Sequence, residues 1–408
     1  MLNIQNARIA VIGLGYVGLP LACTFADKFP VIGYDVNTTK SRQLAAGHVS
    51  ASIYGEEALQ RALNCGQLKI AADISETATC NVYVIAVPTP ADTNHHADPS
   101  LLLTACGMVG KLISKGDVVV VESTIAPGMT ERLLIPRLEE ASALKCNRDF
   151  TVGYSPERIN PGDQEHTVKK ICKIVSGSTP ETADFLEQLY GAVITAGTYK
   201  ATSISVAEAS KMMENSQRDA LIAFINEMQQ VCTAMDIDIK EVMKAAATKW
   251  DYIPMHPGLV GGHCIPVDPY YLIDEAARYH VPTPMLSTAR KVNNGMATWY
   301  AERIREAATR RGGNKVLLLG FAFKPDCEDV RNTLVADVFR ELCRWGFSVT
   351  VYDPLVNAHR VQDIYHINVE NRVPPLDDYA VVAECTPHTC FHDLEQCPAV
   401  QSRLVKLY

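Results

Sequence analysis

A chain of 408 residues exceeds what one hydrophobic core ordinarily organises, so two or three domains are expected. With 38 basic against 46 acidic residues the net charge is −8 and no long basic run occurs, which argues against nucleic acid or an anionic membrane surface as the main partner. No apolar run approaches the roughly 20 residues needed to span a bilayer. Thirteen cysteines, an odd number scattered from Cys23 to Cys397, follow an N-terminus that lacks a signal-peptide pattern, so reduced thiols in a cytoplasmic protein are expected.

Residues 8–12 read as a buried strand, Gly13-Leu14-Gly15-Tyr16-Val17-Gly18 as a glycine turn, and Leu21, Phe25 and Ala26 as the inner face of a helix. In that context the first glycine permits the turn. The second lets a pyrophosphate approach the helix N-terminus, and the third lets helix and strand pack closely. A second strand, residues 31–35, ends in Asp35, about 20 residues on, where a carboxylate would grip the adenosine ribose of NAD and repel the 2′-phosphate of NADP. NAD is the expected cofactor. Further strands are predicted at 82–87, 118–121, 150–154 and 171–175, with helical patterns between them, which predicts a parallel doubly wound sheet. Its crevice would collect the strand ends Pro88-Thr89-Pro90, Glu122-Ser123-Thr124 and Ser155-Pro156-Glu157-Arg158.

From about Ser203 to Met235 the chain has no Pro or Gly, and apolar residues recur at helical spacing. This predicts one helix of about 50 Å, suited to a connector or dimer spine. Lys211, Asn215 and Arg218 share one face of it; a solvated polar stripe is the ordinary reading of such a face. A second long helix is predicted from Pro284 to about Arg311.

Between the two lies Pro257-Gly258-Leu259-Val260-Gly261-Gly262-His263-Cys264-Ile265-Pro266-Val267-Asp268-Pro269, in which two glycines allow close backbone approach and two prolines stiffen a segment presenting a thiol and a carboxylate. An isolated cysteine there would be read as a buried structural thiol. The company it keeps favours a nucleophile. After Gly312-Gly313 a second Rossmann-type unit begins, with a strand at 315–320, the loop Phe323-Lys324-Pro325-Asp326, a helix from about Asn332 to Trp345 and a strand at 348–353. Lacking the full glycine fingerprint, this unit is assigned to the other ligand. The cluster Cys385, His388, Cys390, His392 and Cys397 matches none of the common zinc spacings, so no metal is expected.

Five motifs together resemble the UDP-glucose/GDP-mannose dehydrogenase family over essentially the whole chain. They are the glycine turn through Pro20, Glu122-Ser123-Thr124, Lys211 with Glu214-Asn215, Gly261-Gly262-His263-Cys264, and Phe323-Lys324 followed by Asp329-Val330-Arg331-Asn332-Thr333. The segment from Tyr154 through Asp163 and the cysteine loop are similar to the branch acting on UDP-N-acetylhexosamines, the Vi-antigen type. The resemblance implies four-electron oxidation of a sugar C6 alcohol, for polysaccharide synthesis, with UDP-N-acetylglucosamine the first choice of substrate.

It also implies roles. Cys264 would attack the C6 aldehyde, Lys211 and Asn215 would stabilise the oxyanion, and Asp268, Glu157 and Thr124 would handle protons and water. Gly13, Gly15, Tyr16, Val17, Gly18, Asp35, Lys40, Thr89, Ser123, Thr124 and Arg331 match cofactor positions. Glu157, Arg158, Lys211, Asn215, Tyr252, Gly261, Phe323 and Lys324 match substrate positions. His256 stands where relatives usually carry an arginine facing the diphosphate, and Ala322 and Pro325 are unusual for their loop. A shortened last element and a homodimer through the long helix are also expected.

The fold so implied is α/β, with two Rossmann-like doubly wound parallel-sheet domains joined by a long central helix and a small helical domain. The boundaries are 1–202 (NAD), 203–311 (central, carrying the cysteine loop) and 312–408 (UDP-sugar). Other readings stay open: UDP-ManNAc, UDP-GalNAc or UDP-glucose as substrate, a two-electron dehydrogenase of the 6-phosphogluconate or hydroxyisobutyrate kind, or a catalytically silent binder. The number of NADH formed per substrate separates the last two from the first.

Overall fold

The computed structural model describes residues 3–49, 55–92, 95–159 and 165–407; residues 160–163 of the motif that begins at Tyr154 lie outside them. Strands β1 (Ile9–Ile12), β4 (Val82–Ile85) and β5 (Val118–Val121) are apolar almost throughout and buried at every position, as strands covered by helices on both faces must be. With β2 (Val31–Tyr34), β3 (Leu68–Ile70), β6 (Thr151–Tyr154), β7 (Lys173–Gly177) and β8 (Thr198–Lys200) they form a sheet of order β3-β2-β1-β4-β5-β6-β7-β8. Helices α1 (Gly18–Phe25), α2 (Thr38–Ala45), α3 (Glu56–Asn64), α4 (Ser100–Gly110), α5 (Ile135–Ser142) and α6 (Pro180–Gly191) intervene. α1, α3 and α6 bury Leu21, Phe25, Leu59 and Leu186 in one core with Val11, Val31, Val84 and Val120. Because β1 pairs with both β2 and β4, the strand order reverses beside it. Ligands bind at the carboxyl ends of strands at such a switch point.

The structure departs from the expected alternation by adding the short edge strands β3 and β8, which were not predicted, and by one reversal. β7 begins two residues later than predicted and runs antiparallel to β6. A parallel neighbour needs a crossover, usually a helix; among the described residues the link between β6 and β7 carries only the 3-10 turn Val168–Lys170. α6 then supplies a crossover, and β8 returns parallel to β7.

α7 (Ile204–Ala234) follows, 31 residues long, or about 46 Å at 1.5 Å per residue. The chain divides into two units, Met1–Glu214 with Tyr270–Tyr279, and Asn215–Pro269 with His280–Tyr408. The second unit contains α8 (Ile239–Ala246), the first two residues of α9 (Asp268–Arg278), and α10 (Pro284–Arg310). It also holds β9 (Lys315–Leu319), α11 (Val335–Arg344), β10 (Ser348–Tyr352), α12 (Ala358–Tyr365), β11 (Val381–Glu384) and β12 (Leu404–Lys406). Its sheet, β10-β9-β11-β12, is parallel throughout. The side chains of β9 alternate: Val316 and Leu318 pack with Met296, Tyr300 and Ile304 of α10, whereas Leu317 and Leu319 pack with Val382, Phe391 and Val400 on the other face. The last element is a three-residue strand at the sheet edge.

Within this unit a buried polar group locks α10 to α7. Asp219 accepts from Arg290 (2.5 Å) and Asn293 (2.7 Å), while Asn226 donates to Asn293 (2.9 Å) and to the carbonyl of Gly258 (3.1 Å). Among the described residues no helix is long and apolar enough to cross a membrane.

Candidate active site

In the first unit the glycine turn does what its pattern predicts. Gly13 stands at φ +93°, and a Cβ there would lie 2.7 Å from the Ala86 carbonyl oxygen; a Cβ on Gly18 would collide with the carbonyl of Gly13. Gly15, by contrast, has nothing within 4 Å of where its Cβ would be, so an approaching pyrophosphate meets bare backbone. Tyr16 and Val17 complete the turn into α1.

Asp35, at the end of β2, accepts the Leu14 amide (3.0 Å), the Asn37 amide (2.9 Å) and Lys40 Nζ (2.9 Å), which brings two predicted cofactor residues together at the turn. Burial alone would raise its carboxyl; the Asn37 amide, Lys40 and the Leu14 amide outweigh that and hold it below the usual carboxylate range. At the ends of β4 and β5, Thr89 Oγ1 donates to the Thr124 carbonyl (2.7 Å) and Ser123 Oγ to the Val87 carbonyl (2.7 Å), so Thr89, Ser123 and Thr124 stand side by side. These residues fit an NAD cradle: open backbone over the turn, an ionised acid for ribose hydroxyls, and hydroxyls at adjacent strand ends.

Glu157 lies in a group the sequence did not reveal. Lys173 Nζ, fully buried, donates to Glu122 (2.6 Å), to Glu157 (3.1 Å) and to the Pro156 carbonyl (3.1 Å), and Tyr190 donates to Glu122 (2.5 Å). The amides of Arg158 (2.6 Å) and Ile159 (2.8 Å) also point at Glu157. Burial opposes the charge of Glu157, but Lys173 and these amides keep it below its ordinary value. Burial pushes the Glu122 carboxyl up to about 7, aided by the neighbouring Glu157 charge and opposed by Lys173. Glu122 is therefore a core residue, whereas Glu157 is a carboxylate kept ionised. Arg158, a predicted substrate contact, pairs with Glu214 (2.7 Å) and donates to the Cys172 carbonyl (3.0 Å).

Lys211 is buried on α7, and one turn before it Glu208 accepts the amides of Gly128 (2.6 Å) and Thr130 (3.0 Å). The helix is thereby tied to the loop that follows Thr124.

In the second unit the Cys264 carbonyl accepts the amides of Val267 (3.1 Å) and Asp268 (2.8 Å), turning the loop directly into α9. His263 Nδ1 sits 3.2 Å from Cys264 Sγ. Asp268, 2% exposed, accepts a short hydrogen bond from Asn215. Thiol, imidazole and carboxylate thus occupy one short stretch of loop and one helix start, and the Asn215 amide reaches the carboxylate from α7.

The loop is backed by the motif that ends at Thr333: Gly262 donates to the Arg331 carbonyl (2.9 Å), and Asn332 Nδ2 donates to the Gly262 carbonyl (2.9 Å). Arg331 forks onto Asp329 (2.9 and 2.5 Å). Phe323 packs on the paired glycines, where a Cβ on Gly261 would lie 2.7 Å from its own Cβ and one on Gly262 2.8 Å from its ring. Lys324 follows it, 5.6 Å from that ring. Tyr252 and His256 line one mainly apolar cavity of about 440 Å³ with Lys240 and Met243 of α8 and with Ala247 just past its end. The cysteine and histidine cluster near the C-terminus resolves into a buried hydrogen-bonding role for His388; among the described residues no group of three His, Cys, Asp or Glu could hold a metal.

Three family models tile the chain. The NAD binding domain of the UDP-glucose/GDP-mannose dehydrogenase family matches residues 7–194, the central domain 205–295 and the UDP binding domain 317–405. The chain belongs to the UDP-glucose/GDP-mannose dehydrogenase family. It is similar to the UDP-N-acetyl-D-glucosamine 6-dehydrogenases of Pseudomonas aeruginosa, 44% identical over 89% of this chain and 86% of the relative, and of Salmonella typhi, 43% identical over 90% and 87%. A solved UDP-glucose dehydrogenase from Pyrobaculum islandicum superposes with a TM-score of 0.88 at 30% identity, over 98% of this chain and 94% of that one. The family makes this protein an NAD-dependent oxidoreductase of nucleotide sugars. Its NAD binding domain spans the Asp35 cradle, and its UDP binding domain spans Phe323, Lys324 and His388.

Sequence reading missed Lys173, Tyr190, His263, Asn332 and the Asp353–His388 pair as site supports. His263 and Asn332 lay inside motifs already singled out, and Lys173 left a signal of its own, a cation inside an otherwise apolar strand pattern. Such a residue is almost never buried unless paired.

Proposed function

We propose that this enzyme oxidises the C6 alcohol of a UDP-N-acetylhexosamine to the uronic acid, with UDP-N-acetylglucosamine the preferred sugar, for surface polysaccharide synthesis. Identities of 44% and 43% to UDP-N-acetyl-D-glucosamine 6-dehydrogenases over nine-tenths of the chain support the sugar class. NAD, held by the glycine turn, Asp35, Lys40, Thr89 and Ser123, supplies the hydride acceptor for each of two two-electron oxidations. In this reading the enzyme works as a cytoplasmic homodimer, with domains bounded at 1–202, 203–311 and 312–408.

The observation that carries the covalent half is the cysteine loop: a thiol 3.2 Å from an imidazole, two residues past a Gly-Gly, on a backbone whose next turn holds the Asn215–Asp268 pair. The Cys264 thiolate adds to the C6 aldehyde, forming a C–S bond as the carbonyl oxygen becomes an oxyanion that Asn215 stabilises. Loss of hydride from that carbon leaves a thioester. Water, relieved of its proton by Asp268, adds to the acyl carbon, and the C–S bond breaks to release carboxylate and thiolate. Covalent capture keeps a reactive aldehyde from leaving between the two oxidations.

Counting NADH against sugar consumed tests this: two per UDP-N-acetylglucosamine is expected. One would point to a simple alcohol dehydrogenase, and none to a binding protein. The same assay run with UDP-N-acetylmannosamine, UDP-N-acetylgalactosamine and UDP-glucose ranks the sugars.

A further inference from the structure

The loop between β9 and α11 carries Phe323 and Lys324, both assigned above to the sugar nucleotide, and a buried imidazole outside it holds its backbone. His388, 2% exposed, faces Asp353 through Nε2 (3.0 Å) and accepts the Asp326 amide at Nδ1 (2.9 Å). An amide donor at Nδ1 requires a bare nitrogen there, so the ring proton resides on Nε2 and is donated to Asp353. The same Asp353 oxygen accepts the amides of Phe321 (2.7 Å) and Ala322 (3.0 Å), where the loop begins. One imidazole therefore reaches both ends of the segment from Phe321 to Asp326.

Asp326 stands at φ +54°, a conformation that a non-glycine residue keeps only when its surroundings hold it. Its carboxylate accepts the Thr389 amide (2.8 Å) and hydroxyl (2.5 Å), which closes a ring through the turn after β11. Thr386 adds a bond to the Ala322 carbonyl (2.6 Å). From this frame Phe323 projects onto Gly261 and Gly262, two residues before Cys264.

We propose that His388 is a positioning residue for nucleotide-sugar binding: it holds the Phe323–Lys324 loop in the shape that contacts the UDP moiety and backs the Gly261–Gly262 segment of the cysteine loop. This rests on the reading of the second sheet as the UDP-sugar unit. The uncharged amide side chains separate the two hydrogen bonds of His388. Gln in its place puts an amide donor where Nε2 faced Asp353 and no acceptor where Nδ1 met the Asp326 amide; Asn places a carbonyl oxygen where Nδ1 was.

The test measures UDP affinity by calorimetry, KM for UDP-N-acetylglucosamine and for NAD, and thermal midpoint, for wild type, His388→Gln and His388→Asn. The expected result for His388→Gln is a rise of roughly tenfold in the UDP Kd and the sugar-nucleotide KM, the size of one lost hydrogen bond, with the NAD KM unchanged. His388→Asn should restore wild-type affinity. If His388→Gln does not fold, Thr389→Val, which loosens Asp326 from the other side, is read the same way. A folded variant with wild-type UDP affinity overturns the inference, as does equal loss for UDP-sugar and NAD, or an Asn variant as weak as the Gln one. Wild-type enzyme that binds no UDP overturns the underlying reading instead, and the inference with it.

Discussion

The Asp35 carboxylate accepts two amides and a lysine while remaining at the surface of the NAD cradle, so its charge is fixed by the fold. A 2′-phosphate brought beside it meets like charge, and kcat/KM for NAD should exceed that for NADP by roughly tenfold or more. Steady-state kinetics with both cofactors checks this, and Asp35→Asn should narrow the ratio. The same residue has a pH signature. Its carboxyl is held below the ordinary value, so the stability it contributes is present above about pH 4 and is lost as pH falls through its lowered value. Asp35→Asn should therefore cost about 1–3 kcal/mol in urea denaturation at pH 7, a difference that shrinks towards pH 3.

Lys173 works in the opposite sense. Removing it as Lys173→Met would leave Glu122 and Glu157 buried without their cation, a loss of roughly 3–5 kcal/mol at pH 8. At pH 5 the orphaned carboxyls take up protons, so the measured loss should be smaller. A loss that is the same at both pH values would show that the group is not electrostatically coupled.

Among the elements, α7 and α10 depend on polar side chains as well as apolar ones. Asn293, fully buried, donates to Asp219 and accepts from Asn226, and Asn226 in turn receives the Gly258 amide (2.8 Å) ahead of the cysteine loop. Asn293→Leu, close in size and without hydrogen bonds, should destabilise by about 2–3 kcal/mol, because a buried acceptor and a buried donor lose their partner. Thermal unfolding measures this.

For the whole molecule, Val206, Met213, Phe224 and Val231 are 46%, 71%, 61% and 44% exposed, and steps of 7, 11 and 7 put them on one face of α7. The proposed homodimer would cover this stripe. Light scattering should give twice the chain mass, and Phe224→Asp should shift it towards the monomer. The covalent mechanism also has a test at this scale, since it concerns what the complete enzyme releases. A folded Cys264→Ala variant should yield little uronic acid, at least 100-fold less than wild type by mass spectrometry, while slow alcohol oxidation persists. A normal acid yield would remove the thiol from the chemistry.

The sequence by itself determined the cofactor cradle, because the Gly13–Gly18 turn and Asp35 are fixed by steric and charge requirements local to one strand-turn-helix unit. It also determined eight of the twelve described strands, leaving β3, β8, β11 and β12 to the structure, and the span of α7, whose bounds lie within one residue of the expected ones, since Pro- and Gly-free helical periodicity is a local signal. The cysteine loop was legible for the same reason, its glycines, prolines, thiol and acid being neighbours in the chain. Only the tertiary structure decided the reversal at β7, where the want of a described crossover helix overrides the strand pattern. It alone joined Lys173 to Glu122, 51 residues away, and Asp326 to His388, 62 residues away. Such pairs have no periodicity and no motif. A buried charge or imidazole is tolerated only where a distant part of the chain supplies its partner, and that partner becomes known when the fold brings it within hydrogen-bonding distance.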